Sequence, residues 1–232
     1  VDAQDPGRLA EFWAAILGRV VAANGTTLPG LTVTDFALRF VAADGPKVGL
    51  HRMHPDLTSA SAADQEATVS LALSLGGRHL DVGQRGDEGH VVLADPEGNE
   101  FCVIEAGNGF LADTARIGAL AGDGMPAVGY FWSAALGWPL VWGQDEETAI
   151  QSPHGGTKLT WGGPPVAPKS GRNRLRWVLE ANGPIDAEVE RLCGRGAHRG
   201  PFGPLGYELT DPEGNEFALV PRPSDLRPGD VV

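Results

Sequence analysis

The phrase LADPEGNEFCVIE, residues 93–105, returns as LTDPEGNEFALVP, residues 209–221. Asp95 and Asp211 stand 116 residues apart, half of a 232-residue chain, so whatever this sequence folds into has to be built twice. Two further pairs keep the spacing. RLAEFWAAILG (8–18) answers AVGYFWSAALG (127–137), with Phe12 and Trp13 matching Phe131 and Trp132 at an offset of 119. PKVGLHRMHPDL (46–57) answers PKSGRNRLRWVL (168–179) without a gap at an offset of 122. Short loop insertions and deletions produce this small drift, and the chain reads as two similar halves.

Each half follows one local order. Asp5 can cap free amides and Pro6 suits a first turn, so a helix starts there. Leu9, Phe12, Trp13, Ile16 and Leu17 then fall on one apolar helical face that stops at Gly18, and Val128, Phe131, Trp132, Ala135 and Leu136 repeat it. Strand-like runs follow: GRVVA and ALRFVA in the first half, PLVW, TAIQS and TKLTW in the second. A further strand (RMHPDL, RLRWVL) leads into a second helix-like stretch (DQEATVSLALSLGG, IDAEVERLCGRGA), and a hairpin closes the half. DPEG carries type I turn preferences, which explains why that phrase is so fixed. Each half therefore spells two βαβββ units, four in all, an α+β chain.

With 42% hydrophobic residues the chain can bury a core in each half. Thirty acidic against eighteen basic side chains give a net charge of -12, which repels phosphate backbones and anionic lipid, so nucleic acid and membranes are not expected partners. No apolar run approaches the roughly 20 residues of a spanning helix and no leader pattern is seen, so a cytoplasmic location is expected. Cys102 and Cys193 occupy unmatched places in the two halves, which suits reduced thiols. The tail PRPSDLRPGDVV has the only disordered composition in the chain.

Taken together, FWAAILG, RMHPDL and DPEGNEF in the first half, and FWSAALG, RLRWVL and DPEGNEF in the second, resemble a tandem glyoxalase-like member of the vicinal oxygen chelate superfamily, the glyoxalase/bleomycin-resistance/dioxygenase group. The resemblance implies two glyoxalase-like domains, 1–107 and 114–222, followed by a C-terminal tail at 223–232. It also implies curled mixed sheets around cavities, with helices outside. It does not imply one reaction, because the superfamily includes metal-dependent lyases, isomerases and dioxygenases alongside metal-free binding proteins.

Alternation assigns faces to the strands. Phe101 and Val103, like Phe217 and Leu219, are apolar in both halves and belong under the helices. Glu100, Cys102 and Ile104, or Glu216, Ala218 and Val220, then face the cavity. On the earlier strand His54 and Asp56, or Arg176, Val178 and Glu180, face it too. In metal-using relatives a His on a unit's first strand and a Glu on its last, four residues after the turn Gly, hold the ion. Counting from Gly98 gives Cys102, and counting from Gly214 gives Ala218. The second half, with Arg176 and Ala218, is expected to hold no metal, and Arg176 and Glu216 are expected either to pair internally or to hold a ligand. In the first half a mixed site of His54, Cys102 and Glu100 is conceivable, its other ligands coming from the half's own opening strand, before Asp5. The alternative for His54 is a cavity histidine bonded to Glu100 or Asp56. Trp13, Trp132 and Trp177 are expected in the core, while Trp142 and Trp161 could line the cavity and stack on a flat ligand. HGG at 154–156 reads as a hairpin turn.

The favoured function is a metal-free small-molecule-binding protein for an antibiotic or aromatic metabolite, with ligand contacts from His54, Asp56, Glu100, Cys102, Trp142, Trp161, Arg176 and Glu216. The alternative is a metal-dependent lyase, isomerase or dioxygenase using Zn, Fe, Mn or Ni in the first half. A small molecule is the expected partner, and the chain is expected to be a monomer or a homodimer.

Overall fold

Asp5 caps the first helix by accepting from Arg8 N, and Gly18, at φ 63°, ends it in the left-handed conformation. The computed structural model describes residues 1–43, 45–84, 88–203 and 206–222, so the tail expected at 223–232 lies outside the described residues. The first unit holds β1 (Asp2–Ala3), α1 (Pro6–Leu17), β2 (Thr27–Leu28), β3 (Leu38–Arg39) and β4 (Val41–Ala42). The second holds β5 (Met53–Leu57), α2 (Ala62–Ser74), β6 (Arg78–His79), β7 (Val91–Ala94) and β8 (Glu100–Val103). In the third are β9 (Ile117–Gly122), α3 (Pro126–Leu136), β10 (Leu140–Gln144), β11 (Glu147–Ile150) and β12 (Lys158–Trp161). The fourth comprises β13 (Trp177–Glu180), α4 (Ile185–Cys193), β14 (His198–Gly203), β15 (Gly206–Thr210) and β16 (Glu216–Val220). Four βαβββ units are present, as the sequence predicts, and the fold is α+β with curled, unclosed mixed sheets. No helix among the described residues is long and apolar enough to cross a membrane.

Two strand expectations fail. GRVVA forms no strand because Arg19 turns inward, donating to the Phe36 carbonyl (2.7 Å) and pairing with Asp35 (3.5 Å), while Val20 is exposed. ALRFVA splits into β3 and β4 around Phe40, whose ring is buried.

The sheets do not follow the halves. The eight-stranded sheet runs β10-β11-β12-β9-β5-β8-β7-β6, so it pools the second and third units. The four-stranded sheet β13-β16-β15-β14 belongs to the fourth unit, and Asp2 N donates to the Arg174 carbonyl (2.9 Å) to bring the first unit's β1-β4 pair beside it. Antiparallel pairing of β5 with β9 joins the halves, with His54 opposite Ala121 and Asp56 opposite Ala119.

The repeated phrases are structural locks. Asp95 Oδ1 accepts from Glu97 N and Asn99 N, and its Oδ2 accepts from Asn99 Nδ2 and Trp13 Nε1. Asp211 repeats these bonds with Glu213 N, Asn215 N, Asn215 Nδ2 and Trp132 Nε1. Both carboxylates are buried, so each binds the DPEGN turn to the FW helix where water cannot substitute. The aromatic packing is also duplicated: Trp13 meets Phe101 at 5.1 Å and Trp132 meets Phe217 at 5.1 Å, both edge-on. Trp177 packs against this core, 6.2 Å from Trp132.

The two halves also grip each other reciprocally. Glu97 accepts from Arg174 (3.0 Å), and Glu213 accepts from its counterpart Arg52 (3.5 Å). The same glutamates accept from the backbone N–H groups of Asp5 and Met125, the residues that precede α1 and α3. This is the contact pattern of a two-fold dimer written into one chain.

Candidate functional site

His54 and Asp56 are two residues apart on β5 and therefore share a face, and Cys102 stands beside Asp56 in register on β8. His54 Nε2 lies 3.4 Å from Asp56 Oδ1. Each of the three offers one ligand-capable atom, and these atoms lie within 4.8 Å of one another. Burial works against a charged His54 ring, but its hydrogen bonds to Asp56 and Cys102 outweigh that and raise its pKa to about 10. Burial pushes the Cys102 thiol up. His54 therefore carries its second ring proton near neutrality, and Cys102 stays a thiol. Asp123, just after β9, is also lifted by burial, with the charges of His54 and Arg52 opposing.

Register extends this cluster into two rows on the face that turns away from α2 and α3. One row is Lys158, Ala119, Asp56, Cys102 and Val92, across β12, β9, β5, β8 and β7. The next is Trp142, Ala149, Thr160, Ala121 and His54, across β10, β11, β12, β9 and β5. Thr58 and Ile104 continue the alternation of Asp56 and Cys102 and line a cleft of about 210 Å3, closed by Glu105, Asn108 and Leu111 from the segment joining the halves. Phe110, on the same segment, sets its ring edge-on to Trp142 at 6.0 Å, and the Lys158 ammonium lies 4.5 Å from its centroid.

Several expected site residues lie elsewhere. Glu100 is not a neighbour of the trio: it accepts from Lys47 Nζ and from His51 N at 3.4 Å, in the loop that leads into β5. Glu216 makes the equivalent contacts with Lys169 (2.7 Å) and Asn173 N (3.1 Å). A Lys–Glu pair kept where the trio has no counterpart is scaffold, so His54 has Asp56 and not Glu100 as its partner. Arg176 does not pair with Glu216 either. It forks onto Asp2, with Nη2 donating to Oδ1 at 2.7 Å and Nη1 to Oδ2, and Nη1 also donates to the Asn173 carbonyl. Trp161 is core, 3% exposed beneath α3, because its register partners Thr148 and Gly122 lie on the helix-facing side. Trp142 does belong to the open face. The strands that complete the site around His54 are β9 and β12 of the second half, not the opening strand of the first, because the sheet is pooled across the halves.

Sequence reasoning missed Lys158, Phe110 and Asp2. Lys158 and Thr160 alternate with the buried Leu159 and Trp161, a signal that was readable in TKLTW. Phe110 follows no strand or helix period, so nothing local marks it.

The fold is that of the vicinal oxygen chelate superfamily. The glyoxalase-like domain model matches residues 1–104 and again 119–220, and the chain belongs to that family. Among solved structures, glyoxalase I from Zea mays is similar at 18% identity with a TM-score of 0.66, covering 95% of this chain and 89% of that one. A putative dioxygenase from Bacillus subtilis is similar at 13% identity with a TM-score of 0.61, covering 99% and 84%. At these identities the likeness is one of fold. No curated protein matches the chain in sequence.

Proposed function

We propose that the open face of the eight-stranded sheet binds a small molecule, an antibiotic or an aromatic metabolite, and that the chain works as a metal-free binding protein. The make-up of the four strands that meet at the site supports this. β5 and β8 bring His54, Asp56 and Cys102, whose polar atoms lie within 4.8 Å of one another, whereas β9 and β12 bring Ala119, Ala121, Lys158 and Thr160. Ala119 and Ala121 put little bulk beside the polar trio, and small residues next to a few convergent polar groups are a usual form of ligand site. The test is metal content by plasma mass spectrometry on protein purified without a metal-affinity column, with calorimetric binding of aromatic fragments before and after chelation. Binding that survives chelation is expected, and stoichiometric metal whose removal abolishes binding would overturn the reading.

The proximity of the trio favours a second reading, a metal-dependent lyase, isomerase or dioxygenase. A ring nitrogen, a carboxylate oxygen and a thiolate within 4.8 Å suit one borderline-soft divalent ion and leave a coordination position open. Such an ion would supply Lewis-acid polarisation of a carbonyl or vicinal-oxygen substrate. Binding it would require His54 and Cys102 to give up their protons. The alanines of β9 would admit the substrate, and Asp56 would be the nearest carboxylate able to carry a proton. His54→Ala should then remove both the metal and turnover, and unchanged turnover would eliminate this reading.

A further inference from the structure

The chain has three lysines, and two of them, Lys47 and Lys169, are held by Glu100 and Glu216. Lys158 is in no ion pair among the described residues. Its register partner is Ala119, which separates it from Asp56 and offers nothing to its charge. Its ammonium donates to the Phe110 carbonyl and rests on the Phe110 ring, leaving further N–H donors free. Asp113 is the carboxylate whose charge reaches it, from beyond ion-pair distance, and burial lowers its pKa. Phe110 and Trp142 are 37% and 38% exposed, large aromatic surfaces left open beside that cation. In a chain with thirty acidic side chains, an ammonium with no carboxylate partner among the described residues is chemistry suited to an anion.

We propose that the small molecule taken by the open face is an aromatic carboxylic acid, with its carboxylate on Lys158 and its ring against Trp142 and Phe110. The inference rests on the open face being the binding site and adds the class of ligand. A charged hydrogen bond to the carboxylate supplies the selectivity, and edge or offset contact with the two rings supplies affinity.

The test is calorimetric titration of the full chain with 1-naphthoate and with its neutral analogue 1-naphthamide. 1-Naphthoate should bind the more tightly. Lys158→Met should weaken 1-naphthoate by about tenfold or more and leave 1-naphthamide unchanged, the loss expected for one charged hydrogen bond. Trp142→Ala should weaken both. Equal affinities for the two probes, no binding of either, or a Lys158→Met protein that still prefers 1-naphthoate would overturn the assignment. Ala121→Phe separates the two levels of inference, because it puts bulk between Thr160 and His54, the register partners of Ala121, and leaves the Lys158 ammonium in place. If it abolishes 1-naphthamide binding, the site stands whatever Lys158 does; probe binding that survives it removes the open-face site itself.

Discussion

Asp95→Ala removes four hydrogen bonds from a buried place. Asp95 is fully buried, and its oxygens accept from Glu97 N (3.0 Å), Asn99 N (2.9 Å), Asn99 Nδ2 (2.8 Å) and Trp13 Nε1 (3.2 Å). Truncation leaves two backbone donors, the Asn99 amide and an indole N–H without partners, each costing about 1–3 kcal/mol. Burial also pushes the Asp95 carboxyl pKa up, so losing the carboxylate relieves part of that cost. The net loss should be about 3–5 kcal/mol, a large share of a stability of about 5–15 kcal/mol. Urea unfolding followed by tryptophan fluorescence measures it as a shift in midpoint at constant slope. Asp211→Ala is the internal control: its four equivalent bonds measure 3.0, 3.0, 2.9 and 3.3 Å, so its loss should match within about 1 kcal/mol. Asp95→Asn should also destabilise, since its amide would face two other donors. A loss below about 1 kcal/mol in both alanine variants would refute the claim that the repeated phrase is a hydrogen-bonded lock.

Two further outcomes follow from burial. Desolvation lowers the His51 pKa from 6.5 to about 4, so between those values the unfolded chain binds a proton that the folded chain refuses, and stability falls as pH drops through that window by about 3 kcal/mol. His51→Asn, which copies Asn173 of the other half, should flatten that part of the curve in urea midpoints measured from pH 7 to 4; an unchanged slope would show that His51 titrates normally. Trp161→Ala should cost about 3–5 kcal/mol in thermal or urea unfolding and Trp142→Ala less than about 1 kcal/mol, and the reverse order would exchange their assigned faces.

The sequence by itself determined the duplication, the four units, the helix start at Pro6 and the faces of β8 and β16. These are consequences of local periodicity, capping and turn chemistry, which neighbours in the chain decide. The pairing of His54 with Asp56 was also legible, because alternation on one strand puts both on one side. What only the tertiary structure decided is which units share a sheet. Pooling the second unit with the third places Ala119, Ala121, Lys158 and Thr160 across from His54, residues no motif connects with it. The same long-range placement gives Arg176 to Asp2, and Glu100 and Glu216 to Lys47 and Lys169. Acidic and basic side chains find partners by proximity in space, and within the sequence each of these charges had several equally plausible mates. Strand pairing between halves is a non-local choice made by the whole core, so the site it assembles cannot be read from either half alone.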